Sequence, residues 1–203
     1  MSAESRMERE DYLYARIGQA ISTWAWVEYH LVSHFEHALK ISRRRAIHIL
    51  DPVLNFSLSL QIIDAANRDA LHKCPELIYW STLADYVREL SGDRNMLAHY
   101  PVQTPYTSEY LETDPEPFVG PTDEDYSPKQ AKRQALPLTE VEELIEDFSW
   151  AAVLLADFSR WRYSSHPLPE KFSLPIERVR PTRAERRAQS QKKRKLPPRS
   201  SEG

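Results

Sequence analysis

The residues of this chain best equipped for chemistry lie in the stretch Gly92-Asp93-Arg94-Asn95-Met96-Leu97-Ala98-His99-Tyr100. Arginine, asparagine and histidine stand there among apolar neighbours. Histidine titrates near neutral pH, as general acid–base work requires. A guanidinium is always charged and presents a planar fork of donors, which suits recognition of a phosphate and stabilisation of charge in a dry site. The types present could therefore move a proton and steady an anion.

Their spacing sets conditions on that chemistry. Leu83, Val87, Leu90 and Arg94 recur at intervals of 4, 3 and 4, so Arg94 continues the buried stripe of its own helix. An arginine is almost never fully buried without a partner. It must meet a carboxylate, a polar cleft or an anionic ligand. Asn95 and His99 are four apart and share a helix face. Arg94 and His99 are five apart, about 140° around a regular helix. They point the same way only if the helix is irregular, for which Gly92 offers a place, or if a second subunit completes the site. The same Arg-to-His interval recurs at Arg43 and His48. What sets Arg94 apart is its setting on a long helix, with Asn directly after the arginine and Ala directly before the histidine.

Two further groups bear on function. Glu28 lies four after Trp24 and three before Leu31, facing the core or its edge. A Glu28–Arg94 contact is the expected pairing, with Arg88 as the other arginine that could serve. That carboxylate is either a structural counter-ion or a group that orients Arg94 or His99. His30, His34 and His37 fall at i, i+4 and i+7, a spacing that can hold a metal. No H-E-x-x-H or Glu-x-x-His pattern accompanies them, so a solvated or dimer-facing row is the expectation. No metal or cofactor is expected. Arg43 and Arg44, with Arg45, and the run Lys192-Lys193-Arg194-Lys195 could contact phosphates with salt-dependent, sequence-independent affinity.

The elements that must position these groups are helices. Leu13, Ile17, Ala20, Trp24, Val27, Leu31, Phe35 and Ala38 predict a first long helix over about residues 8–40. A short helix follows over 42–50, broken by Asp51-Pro52. A third covers about 55–72. A fourth begins near Pro75 and runs into the arginine–histidine stretch. The last starts at Thr139, where Thr139 to Glu142 fits a capping box, and ends near Tyr163. The expected fold is all-α: a four-to-five-helix antiparallel bundle over residues 8–163. Residues 101–137 form an insert before the last helix, with seven prolines, seven acidic residues and three basic ones. A hairpin over 102–111 is the expectation within it. Tyr106, Tyr110, Phe118 and Tyr126 of the insert could cover a cleft or engage a partner. Residues 164–203 read as a disordered, basic, Pro-rich tail.

Composition narrows the class. The 203 residues include only 4 glycines, so no Gly-rich phosphate loop exists. The single cysteine, Cys74, excludes an internal disulfide and a cysteine-based zinc site. The polar N-terminus and the lack of a long apolar run predict a soluble, cytoplasmic protein that does not enter membranes. Net charge is −3, unevenly spread: residues 167–203 carry 11 basic and 4 acidic groups, against 16 and 26 elsewhere. An acidic body with a basic arm suggests contact with nucleic acid or another acidic partner.

Arg94-Asn95-x-x-x-His99, late in the third main helix of a small bundle, resembles the motif of the HEPN superfamily, the higher-eukaryote and prokaryote nucleotide-binding domains. Trp24-Ala25-Trp26-Val27-Glu28 is similar to small bacterial members. The resemblance covers about residues 7–100 and 139–163. It implies a metal-independent endoribonuclease of toxin or defence type, acting on RNA as a homodimer, with a cognate antitoxin as a further partner. Arg94 and His99 of both subunits would converge on one cleft. His99 would take or donate the proton as the RNA 2′-OH attacks the adjacent phosphate. Arg94 would neutralise the developing charge and Asn95 would orient the pair. Many members keep the fold only as binding scaffolds, so a non-catalytic helical binding protein stands as the alternative.

Overall fold

The computed structural model describes residues 3–104, 116–121 and 135–163. Within them the chain forms helices α1 (Ala3–Leu39), α2 (Arg43–Leu50), α3 (Phe56–Ala70), α4 (Glu76–His99) and α5 (Leu138–Tyr163). Between α4 and α5 lie three short strands, β1 (Val102–Gln103), β2 (Phe118–Val119) and β3 (Leu136–Pro137). The all-α expectation holds, with this small sheet added to it. No helix among the described residues is long and apolar enough to cross a membrane.

Lys40 adopts a left-handed φ of 54° after α1, and Lys73 a φ of 67° after α3. The Asn55 side chain caps α3, accepting from the backbone N–H groups of Ser57 at 2.8 Å and Leu58 at 3.4 Å, so two otherwise orphaned donors are satisfied. α5 begins one residue earlier than the sequence pattern suggests. Thr139 therefore lies inside the first turn, and the proposed capping box is displaced. Glu142 instead accepts from the Tyr12 hydroxyl at 3.4 Å and pairs with Arg16 at 3.5 Å, tying α5 to α1.

The apolar stripes meet as amphipathic faces should. Trp24 is the hub: its ring makes edge contacts with Phe56 at 5.2 Å and Phe148 at 4.9 Å between centroids, joining α1, α3 and α5. Asp64 joins α3 to α4. It is buried, and it accepts from the Trp80 indole at 2.8 Å, from Arg68 at 2.9 Å and from Arg88 at 3.5 Å. A buried carboxylate needs such multiple partners.

These contacts also settle direction. Arg16 meets Glu142 and His34 meets Leu155, so α1 and α5 run parallel. Trp24 meets Phe56, while Glu28 meets Arg94 and His34 meets Trp80, so α4 runs against α1. α3 and α4, and α4 and α5, are antiparallel neighbours, as Asp64–Trp80 and Tyr79–Trp161 show. α2 and the loop after it return the chain from the end of α1 to the level of Trp24. That return is why α3 starts parallel to α1.

The strands form one antiparallel sheet in the order β1-β2-β3, with Val102 opposite Val119 and Val119 opposite Leu136. Val119 and Leu136 are fully buried and join the core. The expected hairpin over 102–111 is not the pairing seen: Val102 pairs with Val119, and residues 105–111 lie outside the described residues. So do Tyr106, Tyr110, Tyr126 and the whole tail from residue 164.

Candidate functional site

Arg94 and Asn95 sit in the last turns of α4, and His99 is its final residue. The helix is continuous to His99, and Gly92 has no left-handed backbone. The irregularity that sequence spacing asked for is absent, yet Arg94, Asn95 and His99 line a single cleft of about 450 Å³ in one chain. A long guanidinium stem and a histidine at a helix end do not need to share a helical face to reach the same space. Neither a kink nor a second subunit is required for that convergence.

Glu28 of α1 lines the same cleft. Its Oε1 accepts from the Trp24 indole N–H at 2.8 Å and lies 3.8 Å from an Arg94 terminal nitrogen. Arg94 also donates to the Asn95 side-chain oxygen at 3.3 Å. Its Nε is buried without a hydrogen-bond partner among the described residues. The side chains of Arg94 and Glu28 are 26% and 43% exposed, so solvent screens their attraction. Arg88 is not available to Glu28: it is engaged by Asp85 and Asp64. The positive head of Arg94 is thus held loosely beside open space, an arrangement able to accept an anion.

The rest of the cleft comes from the loop between α2 and α3 and from α3 itself. Asn55 and Ser59 contribute polar groups, and Val53, Leu54 and Phe56 contribute apolar surface. Periodicity did not single these residues out for a site. Asn55 had a readable signal, an N-capping residue after the Asp51-Pro52 break. Phe56 belonged to the periodic stripe of α3, but Val53 and Leu54 gave no signal, because a loop residue has no periodic partner.

The other sequence candidates lie elsewhere. Arg43 stacks 3.9 Å from the centre of the Tyr29 ring, donates to the Ser33 hydroxyl at 2.8 Å and lies 3.9 Å from Glu36. Arg44 and Arg45 are exposed on α2. Lys192, Lys193, Arg194 and Lys195 lie outside the described residues.

The histidine row departs from the expected solvated face. His34 is fully buried, with its ring 5.2 Å from Trp80 and 5.4 Å from Phe158. Its Nε2 lies 2.9 Å from the Leu155 carbonyl and 3.2 Å from the Ser159 hydroxyl. A carbonyl can only accept, so Nε2 carries the proton. Burial pushes the His34 pKa down to about 3; the Leu155 hydrogen bond opposes this, and the charges of His30, His37 and Arg162 add to it. His30 is also lowered, by burial first and then by Arg160 and Arg43. His37 turns to the Ser33 carbonyl at 2.6 Å. The physical reason is coverage: α4 and α5 close over the edge of the α1 stripe on which His34 lies. Among the described residues no group of three His, Cys, Asp or Glu side chains is placed to hold a metal.

No protein-family model, curated protein or solved structure matches this chain, so its geometry and residue chemistry carry the functional reading.

Proposed function

We propose that this protein is an endoribonuclease of the HEPN type, a toxin or defence enzyme that acts on RNA as a cytoplasmic homodimer without a metal cofactor. The observation that carries the reading is the convergence of Arg94, Asn95 and His99 on one cleft, with Glu28 beside Arg94. In the proposed reaction His99 accepts the proton of an RNA 2′-OH as that oxygen bonds to the neighbouring phosphorus. The bond from phosphorus to the 5′-oxygen breaks, and a protonated histidine returns a proton to the leaving oxygen. Arg94 neutralises the charge that gathers on the phosphoryl oxygens, and Asn95 steadies the guanidinium. An internal 2′-OH nucleophile restricts the reaction to RNA. An antitoxin that covers the cleft is the protein partner this reading calls for.

The test sets wild type beside His99→Ala, with growth and RNA integrity scored in cells and cleavage of short RNA scored with purified protein. General acid–base catalysis contributes about 10²–10⁴-fold, so His99→Ala should lose at least a hundredfold in rate while keeping the wild-type melting temperature. Cleavage by wild type should survive chelator. Equal growth and intact RNA with both proteins would sink the proposal.

The second reading is a non-catalytic helical binding protein. It rests on Arg94 already having Glu28 and Asn95 as partners, which would make the arginine a structural group. Under that reading Arg94→Ala unfolds or loosens the bundle, and wild type leaves RNA intact.

A further inference from the structure

The cleft has a half that proton transfer and phosphate charge do not use. Val53, Leu54 and Phe56 face into it from the α2–α3 loop and the start of α3, and the buried residues Leu31, Leu50 and Ile63 border it. Leu54 is 99% exposed although it lines a concavity. The cleft volume of about 450 Å³ lies in the range of pockets that seat small organic molecules. A phosphate group at Arg94 would leave most of it empty. A planar heterocycle needs an apolar wall for its face and placed polar groups for its edge.

We infer that this apolar half seats the base of the nucleotide whose phosphate lies at Arg94, so that one cleft holds both phosphate and base. The inference rests on the ribonuclease reading for its substrate class. Single-stranded RNA presents unstacked bases that can enter such a pocket, one ribose away from the phosphate. Leu54 and Val53 cover the base face, and its burial there removes apolar surface of both from water. Asn55 commits its side-chain oxygen to the N–H groups of Ser57 and Leu58. Its amide nitrogen is then the group left to donate to a polar base edge, and the Ser59 hydroxyl can donate or accept. The seat therefore sets which nucleotide is held beside His99.

The test is a binding measurement that does not depend on cleavage. Uridine 3′-monophosphate and adenosine 3′-monophosphate are titrated calorimetrically into wild type, into Arg94→Ala and into the double variant Val53→Ser/Leu54→Ser. Ribose 5-phosphate and inorganic phosphate serve as base-free probes, and circular dichroism checks the fold of each variant. At least one base-bearing probe should bind wild type about fivefold or more tighter than ribose 5-phosphate, the scale of one loop leucine covered. The double variant should erase that gap, and Arg94→Ala should weaken all phosphate-bearing probes. Equal affinity for base-bearing and base-free probes overturns the inference. So does a gap that persists in the folded double variant, or no binding of any probe. Cleavage that depends on His99 without a base gap leaves the ribonuclease reading standing and removes the base seat. A base gap without RNA cleavage does the reverse.

Discussion

At the scale of residues, Arg94 carries the most consequence. Its ion pair with Glu28 is long and partly exposed, so it contributes little to stability by itself. Its value lies in orientation. Glu28 is anchored from below by the buried Trp24 indole, and it in turn sets where the guanidinium rests. Glu28→Gln keeps an oxygen for the indole N–H but removes the charge that holds Arg94. Under the proposed ribonuclease reading, the expected result is a change in unfolding free energy below about 1 kcal/mol together with a cleavage rate reduced roughly 10–100-fold, since small misplacements of a reacting group cost on that order. Denaturant titration and an RNA cleavage assay measure the two quantities. A large loss of stability with cleavage unchanged would assign Glu28 to structure alone. The arginine's need for a counterpart was legible, because a charged residue on a buried stripe always demands one. Glu28 was the expected carboxylate, and the packing of α1 against α4 brings it to 3.8 Å from Arg94.

Among the elements, α3 shows how a helix is held in place at its start and in its middle. Asn55 caps its start, and Asp64 receives three donors in its middle. Asp64→Ala leaves the buried Trp80 N–H without its acceptor and frees two arginines from their shared partner. An unsatisfied buried donor costs about 1–3 kcal/mol, so the variant should unfold at a visibly lower temperature. Asp64→Asn, which keeps one acceptor oxygen for the indole, should recover part of that loss. Thermal melts of the two variants check the order. The α3 stripe of Phe56, Leu60 and Ile63 was readable from its period. Asp64 was not, because one polar residue beside a stripe looks the same whether solvent or an indole waits above it. The sheet was hidden for a related reason. Two-residue strands carry no period, and Val102 of β1 finds its partner Val119 17 residues further on.

For the molecule as a whole, His34 ties stability to pH. It sits where α1, α4 and α5 meet, neutral and fully buried. In the unfolded chain it takes up a proton near its ordinary value of 6.5, whereas the folded protein refuses one until about 3. Between those values the unfolded state binds more protons than the folded state, so stability falls as the pH drops through that window and is fully present above it. The loss is of the order of a few kcal/mol. Melting temperatures from pH 7 to pH 4 should decline in wild type and decline less in His34→Leu. Parallel curves for the two proteins would show that His34 does not carry the acid sensitivity.

Sequence alone determined the helices and the candidate chemistry. An apolar residue every three or four positions can be buried only on a helix, and Arg94, Asn95 and His99 stand out by type and by their setting late on a long helix, since the bare interval recurs at Arg43 and His48. The tertiary structure decided what those residues face. Spacing measures an angle about one helix axis; it carries no information about the neighbour across the gap or about how far a long side chain reaches. Thus the 140° between Arg94 and His99 proved no obstacle to a shared cleft, the row of histidines held one buried member, and loop residues 53–55 became one of its walls. Each of these outcomes depends on contacts between segments far apart in the chain, and only packing brings those together.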